Sequence, residues 1–214
     1  MKNLSYILFF VVLIPQAFAQ DIDSLKLALK NAKHDTIKIN ILSEISEICE
    51  VEDILFYAES SKKLCEEGIK FFPNQKNFYK KHLAISLNNT GFVYNNEGNV
   101  TKGLEYFIKS LKLREEIGDK PGIATALNNI GSIYDNQGDI PKALDYYHKG
   151  LKIFEQIRYK PGMAYSLNNI GMIYEIQRDF SNALVYYVKG LEILEQLNFK
   201  SGVATALNNI GGIH

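Results

Sequence analysis

Pairs of carboxamides recur every 40 residues along this chain: Asn88 and Asn89, Asn128 and Asn129, Asn168 and Asn169, Asn208 and Asn209, each pair preceded by a leucine. A carboxamide offers a donor and an acceptor together. It can pair with the N–H and C=O of an extended polypeptide without reading that chain's side chains. It can equally bond a neighbouring amide and fix how two helices stack, and the sequence leaves both uses open. Other groups capable of chemistry are scattered. His34, His82, His148 and His214 show no metal-ligand spacing such as His-Glu-x-x-His. Glu115 and Glu116 are adjacent, so on a helix they point apart and make a poor acid–base pair. No Ser-His-Asp or Cys-His arrangement can be drawn, and no Gly-rich loop has phosphate-cradling spacing. The sequence therefore asks for no catalytic residue, no metal and no cofactor.

The elements that must carry the amides are helices. Leu127, Ile130, Gly131 and Tyr134 fall at i, i+3, i+4 and i+7, one face of an α-helix. Asn136-Gln137-Gly138-Asp139 ends it, with Gly138 suited to a left-handed C-cap and Asp139 to an N-cap. Pro141 fits the first turn of the next helix. That second helix carries Leu144, Tyr147 and Leu151 on its apolar side and an Asp145–Lys149 pair at i, i+4 on its wet side. Pro161 and Gly162 open the following unit. The second helix recurs with the same interval, at Gly103 to Phe107, Ala143 to Tyr147 and Ala183 to Tyr187. Mid-helix glycines cost about 1 kcal/mol each relative to alanine. Gly131, Gly150 and Gly190 are therefore expected where neighbouring helices approach closest. Thr125, Asn128, Asn129, Ser132 and Asn136 gather on the sector of the first helix away from Leu127.

This pattern resembles the tetratricopeptide repeat. Leu127, Gly131, Tyr134, Ala143, Tyr147 and Gly150 fall on the family's helix-A and helix-B positions, and Gly171, Tyr174, Ala183, Tyr187 and Gly190 do so again. Gly103 stands where alanine is usual, and Glu155 where the family's proline would fall. The usual repeat is about 34 residues, so this longer form is similar to kinesin light chain and related scaffolds. The resemblance spans about residues 77–214. It implies an all-α fold, a right-handed superhelical solenoid of antiparallel helix pairs whose inner surface is lined by helix A. It also implies that Asn89, Asn129, Asn169 and Asn209, with Asn88, Asn128, Asn168 and Asn208 beside them, line a peptide-binding groove.

Residues 20–75 are a diverged helical cap, with a helix pair over Asp35 to Cys49 and Asp53 to Phe71 and an insertion around Phe71 to Asn77. Residues 76–214 hold three full repeats and part of a fourth. Leu207 to His214 is only part of a first helix, which reads as a truncation. Cys49 lies near the turn of the first pair. Cys65 lies about 18 Å further along the second helix at 1.5 Å per residue. A disulfide needs Cα atoms within about 7 Å, so two buried free thiols are expected.

Lys2, the apolar run Tyr6 to Ile14 and Ala17-Phe18-Ala19 form a cleavable export signal over residues 1–19. The run is shorter than the roughly 20 residues that span a bilayer. Export places the chain in the periplasm or cell envelope, where a downstream membrane helix could tether it. Lysine plus arginine balance aspartate plus glutamate at 24 each. That balance argues against nucleic acid and against a polybasic membrane patch. The expected partner is a protein or peptide, with self-association a further possibility. Exported bacterial proteins of this look often continue into signalling domains. The resemblance thus suggests the sensory part of a longer signalling protein, or alternatively the regulatory half of a histidine kinase or nucleotide cyclase.

Overall fold

A computed structural model describes residues 22–213. The expected export signal and His214 lie outside that range. Among the described residues ten α-helices follow one another: α1 Ile22–Asn31, α2 Asp35–Ile48, α3 Val51–Phe71, α4 Lys76–Asn96, α5 Val100–Ile117, α6 Lys120–Asn136, α7 Ile140–Gln156, α8 Lys160–Ile176, α9 Phe180–Gln196 and α10 Lys200–Gly211. A short 3-10 turn, Pro73–Gln75, joins α3 to α4. The helix pairs are α2/α3, α4/α5, α6/α7 and α8/α9, and each helix packs on its chain neighbours. The first helices of successive pairs, α2, α4, α6 and α8, also touch one another. This contact between first helices puts them on the inner side of the stack, as expected of a solenoid.

The extra residues expected around Phe71 to Asn77 become the end of α3, the 3-10 turn and the first turn of α4. Helices α3 and α4 are accordingly 21 residues each, against 17 for α6 through α9. Helix α1 is an addition to the expectation from sequence. Its Leu25 is buried in one cluster with Leu42, Ile45, Ile54, Tyr57 and Val93, while Ile22 and Leu29 pack at the margin. Ile22, Leu25 and Leu29 have the i, i+3, i+7 spacing of a single face.

No one core holds the molecule together. Phe107 of α5 packs with Ile130 and Ile133 of α6. Ala143, Tyr147 and Leu151 of α7 pack with Leu167, Ile170 and Ile173 of α8. Each cluster thus joins the second helix of one pair to the first helix of the next. Full burial of each such large side chain contributes about 1.5–3 kcal/mol, so the stack is stitched pair to pair. Cys49 and Cys65 are both buried free thiols.

The joints share one backbone solution. One or two residues past the ends of α4 to α9 the backbone is left-handed, at Gly98, Gly118 and Gly138, as expected at Gly138, but also at Arg158, Arg178 and Asn198. The Asp139 N–H closes back on the Tyr134 carbonyl at 2.9 Å, which completes a Schellman-type C-cap. The Asp139 side chain caps α7 through the Lys142 N–H at 3.3 Å, and Asp145 and Lys149 pair at 2.6 Å. The close approaches hold at Gly131 and Gly150 but not at Gly190. A Cβ at Gly131 would sit 2.9 Å from the Tyr147 ring, and one at Gly150 2.7 Å from the Asn128 Oδ1. At Gly190 the nearest atoms would be 3.6 and 3.8 Å away, an ordinary contact.

Candidate functional site

The first helices present their polar sectors along one trough. Part of it is a cleft of ≈ 400 Å³ bordered by α2, α4, α6 and α8. Asn88, Asn89, Asn129, Thr125 and Ser132 line it, together with Phe92, Phe107, Tyr159 and Tyr165. The cleft therefore combines amides that can pair with a backbone and rings that can cover side chains.

The eight asparagines do not behave alike. Asn89 donates to the Ser46 Oγ of α2 at 2.9 Å. Asn129 donates to the Asn88 Oδ1 of α4 at 2.7 Å. Asn209 donates to the Asn168 Oδ1 of α8 at 2.8 Å. Each of these three reaches back to the first helix of the preceding pair, so amide-to-amide stacking is one use the structure makes of them. Asn169 differs: it lies beside Tyr165 of its own helix, whose pKa burial raises and the Asn169 amide opposes. Asn208 is exposed on α10.

Asn128 departs from the expected groove position. It is fully buried, so it does not face the trough. At about 100° per residue it lies only about 60° round the helix from Gly131, at the edge where α6 meets α7 and α8. Its Nδ2 donates to the Ser166 Oγ at 2.7 Å, and its Oδ1 has no partner. The neighbouring repeats explain the difference. Position 166 is serine, whereas the matching positions facing Asn88 and Asn168 are Ala126 and Ala206. Without a hydroxyl to meet, Asn88 and Asn168 turn outward and accept from Asn129 and Asn209. With Asn128 engaged on Ser166, Asn169 has no such acceptor on α6.

Charge in the cleft was not anticipated from the sequence. Arg114 of α5 is buried and lines the cleft. Its Nε donates to the Ser110 Oγ at 3.1 Å, and its Nη1 lies 3.6 Å from the Asp119 Oδ2. Burial lowers its pKa, opposed by Asp119 and Glu47. Glu47 of α2 lines the same cleft with Lys81. Burial raises the Glu47 carboxyl above its ordinary value, and the Arg114 charge opposes the rise. The signal was present in the repeat register, since Phe154 and Leu194 occupy the place of Arg114.

Ser43 and His82 lie 2.9 Å apart. Burial holds the imidazole down to about 4, and Phe78 lies 4.5 Å from its ring, so His82 reads as a packed neutral ring. Among the described residues no group of histidine, cysteine, aspartate and glutamate side chains could hold a metal ion. None of the described helices is long and apolar enough to cross a membrane.

A stack of antiparallel helix pairs with an amide-lined inner trough defines the class: an all-α repeat scaffold, an architecture typical of protein–protein interaction. Models of the tetratricopeptide repeat match residues 82–156 and 163–198, and the chain belongs to that family. No curated protein matches the sequence. Among solved structures, the chain is similar to BtubC (BKLC) from P. vanneervenii, at 18% identity and TM-score 0.70, covering 90% of this chain and 81% of that one. It is similar to a Rap protein solved in complex with competence and sporulation factor, at 16% identity and TM-score 0.70, covering 90% of this chain and 57% of that one. A third similar structure is a signal transduction ATPase with numerous domains, carrying a tetratricopeptide repeat sensor, from Pyrococcus horikoshii. There the identity is 19%, the TM-score 0.64, and the coverage 88% of this chain and 28% of that one. At these identities the likeness is one of fold. The chain spans only 57% and 28% of the latter two.

Proposed function

We propose that this chain is a non-catalytic scaffold that holds an extended stretch of another protein in its trough. We place it in the cell envelope, as the sensory or regulatory part of a longer signalling protein. The observation that carries the binding reading is the cleft of ≈ 400 Å³ where carboxamides and aromatic rings converge. Amides supply pairing that ignores side-chain identity, and the rings supply apolar contact at low entropic cost. The similar folds of a Rap protein complexed with competence and sporulation factor and of an ATPase with a tetratricopeptide repeat sensor lend support. Export rests on Lys2, the apolar run Tyr6 to Ile14 and Ala17-Phe18-Ala19.

Asn169 tests the part of the ladder beyond the cleft, because its neighbour Tyr165 is on its own helix. A heptapeptide selected from a random display library on the wild-type protein should bind Asn169→Ala on the order of tenfold more weakly, a loss of about 1.4 kcal/mol, with unchanged far-ultraviolet circular dichroism. Asn129→Ala should lose comparable affinity and some stability as well, since it also breaks the bond to Asn88. Undiminished binding by the double variant would remove the ladder from the site. For export, residues 1–19 fused to alkaline phosphatase should give periplasmic activity in a bacterial host. An inactive fusion would refute that part.

A further inference from the structure

Two residues interrupt the polar sector of the first helices. The position held by Thr125 on α6 and Thr205 on α10 is Ile85 on α4 and Tyr165 on α8, at the same 40-residue interval. Ile85 and Tyr165 are half-buried, and both line the cleft together with Thr125. The first helices α4, α6 and α8 lie side by side in that order. The small side chain of α6 therefore leaves a gap walled by the larger ones of α4 and α8. The Thr125 hydroxyl already donates to the Pro121 carbonyl at 3.0 Å, so it needs no partner from outside. Phe107 and Tyr159 line the same cleft.

The charges around this gap cancel. The Arg114 Nη1 lies 3.6 Å from the Asp119 Oδ2, and the Glu47 carboxyl feels both Arg114 and Lys81. Among the described residues, these two cations and two carboxylates are the charged groups of the lining. A charged side chain entering the gap would give up its water with no net opposite charge to meet, which costs free energy. A large uncharged side chain instead covers ring and aliphatic surface, and the gain grows with the apolar area removed from water. Binding energy between proteins concentrates on anchors of this kind, seated in a pocket.

We propose that the gap over Thr125 is a socket for one large uncharged side chain of the bound polypeptide, such as phenylalanine, held between Ile85 and Tyr165. This rests on the reading that the trough holds an extended chain, and it gives that chain an anchor residue. The amides of Asn88, Asn89 and Asn129 border the same cleft. Amides pair with a backbone whatever its side chains, so the socket is what gives the trough a preference.

Four labelled heptapeptides of otherwise identical alanine and glycine sequence test this, with phenylalanine, alanine, aspartate or lysine at the centre and both ends blocked. Fluorescence anisotropy should show the phenylalanine peptide binding at least about tenfold more tightly than each of the others. Nuclear Overhauser contacts should join its ring to the Thr125 methyl. Thr125→Tyr copies the residue of α8 and fills the gap, and Tyr165→Thr copies that of α10 and removes a wall. Each should keep the wild-type far-ultraviolet circular dichroism and bind the phenylalanine and alanine peptides alike. Should one of them fail to fold, the other decides. Equal saturable binding of all four peptides by wild type would overturn the socket and leave the peptide-binding reading intact. Tighter binding of the aspartate or lysine peptide would also overturn it, as would a phenylalanine preference that survives in the folded variants. So would the absence of saturable binding by the phenylalanine peptide. The display-selected heptapeptide then separates a failed socket, where it still binds, from a trough that holds no chain, where it does not.

Discussion

Gly131 and Gly190 stand mid-helix in successive repeats, and alanine at the two positions should act in opposite directions. A Cβ at Gly131 meets the Tyr147 ring at 2.9 Å and the Ala143 carbonyl at 3.3 Å. Tyr147 is 2% exposed and packed in the cluster that joins α7 to α8, so its ring has nowhere to go. At Gly190 the same atom would find the Ala164 carbonyl at 3.6 Å and the Leu167 Cβ at 3.8 Å. Both substitutions gain the helix preference of alanine, about 0.5–1 kcal/mol. Only Gly131→Ala adds overpacking, which costs about 1–3 kcal/mol. The net expectation is a loss of about 1–2 kcal/mol at Gly131 and a gain of about 0.5–1 kcal/mol at Gly190. For a chain of this size each kcal/mol moves the midpoint by about 2–4 °C. Thermal melts at 222 nm should therefore fall by about 2–8 °C for Gly131→Ala and rise by about 1–4 °C for Gly190→Ala. Shifts of the same sign would refute the packing difference between the two joints.

Arg178→Gly should stabilise the chain by about 1 kcal/mol in urea titrations, because Arg178 holds φ +60° at a joint where Gly138 sits without that cost. The His82 imidazole, held down to about 4 by burial, should keep a neutral proton-resonance signature at pH 5. A folded pKa below the ordinary 6.5 makes its contribution to stability complete above pH 6.5 and progressively lost as pH falls toward about 4. Titration near 6.5 in the folded protein would contradict this. Burial pushes the Cys49 thiol up to about 11 and Cys65 up to about 12. Iodoacetamide should thus leave both unmodified in the native protein and label both once urea unfolds it. Glu47→Gln should be more stable than wild type at pH 7, with the gap closing as pH falls toward 4.5, since a raised carboxyl pKa penalises the ionised form only above its ordinary value.

The repeat was legible because it is written three times in the same register: Leu127, Gly131, Tyr134 and Tyr147 each have counterparts that specify the same pairing of helices. What escaped had no repetition behind it. Helix α1 offers only Ile22, Leu25 and Leu29 as an apolar face over ten residues, too little to stand out beside a preceding apolar run. Arg158 and Arg178 carry the left-handed turns in places where composition signals only Gly98, Gly118 and Gly138, because the hydrogen bonds of the joint impose the conformation on whatever residue stands there. The site was legible in outline only. Identical Leu-Asn-Asn segments give no hint that Asn128 turns inward and Asn88 outward. That choice depends on whether the next repeat offers a serine or an alanine two residues earlier. Arg114 was readable against Phe154 and Leu194, but a single arginine late in a helix otherwise passes for a surface charge.

Photo-cross-linking tests most directly whether the inner trough is where a polypeptide binds. Benzoylphenylalanine would replace Ser132, which lines the cleft, or Lys152, an exposed residue on α7, in the presence of the display-selected heptapeptide. Covalent adducts confined to position 132 and competed away by unlabelled peptide are the predicted result. Adducts at position 152 with none at 132 would contradict the account.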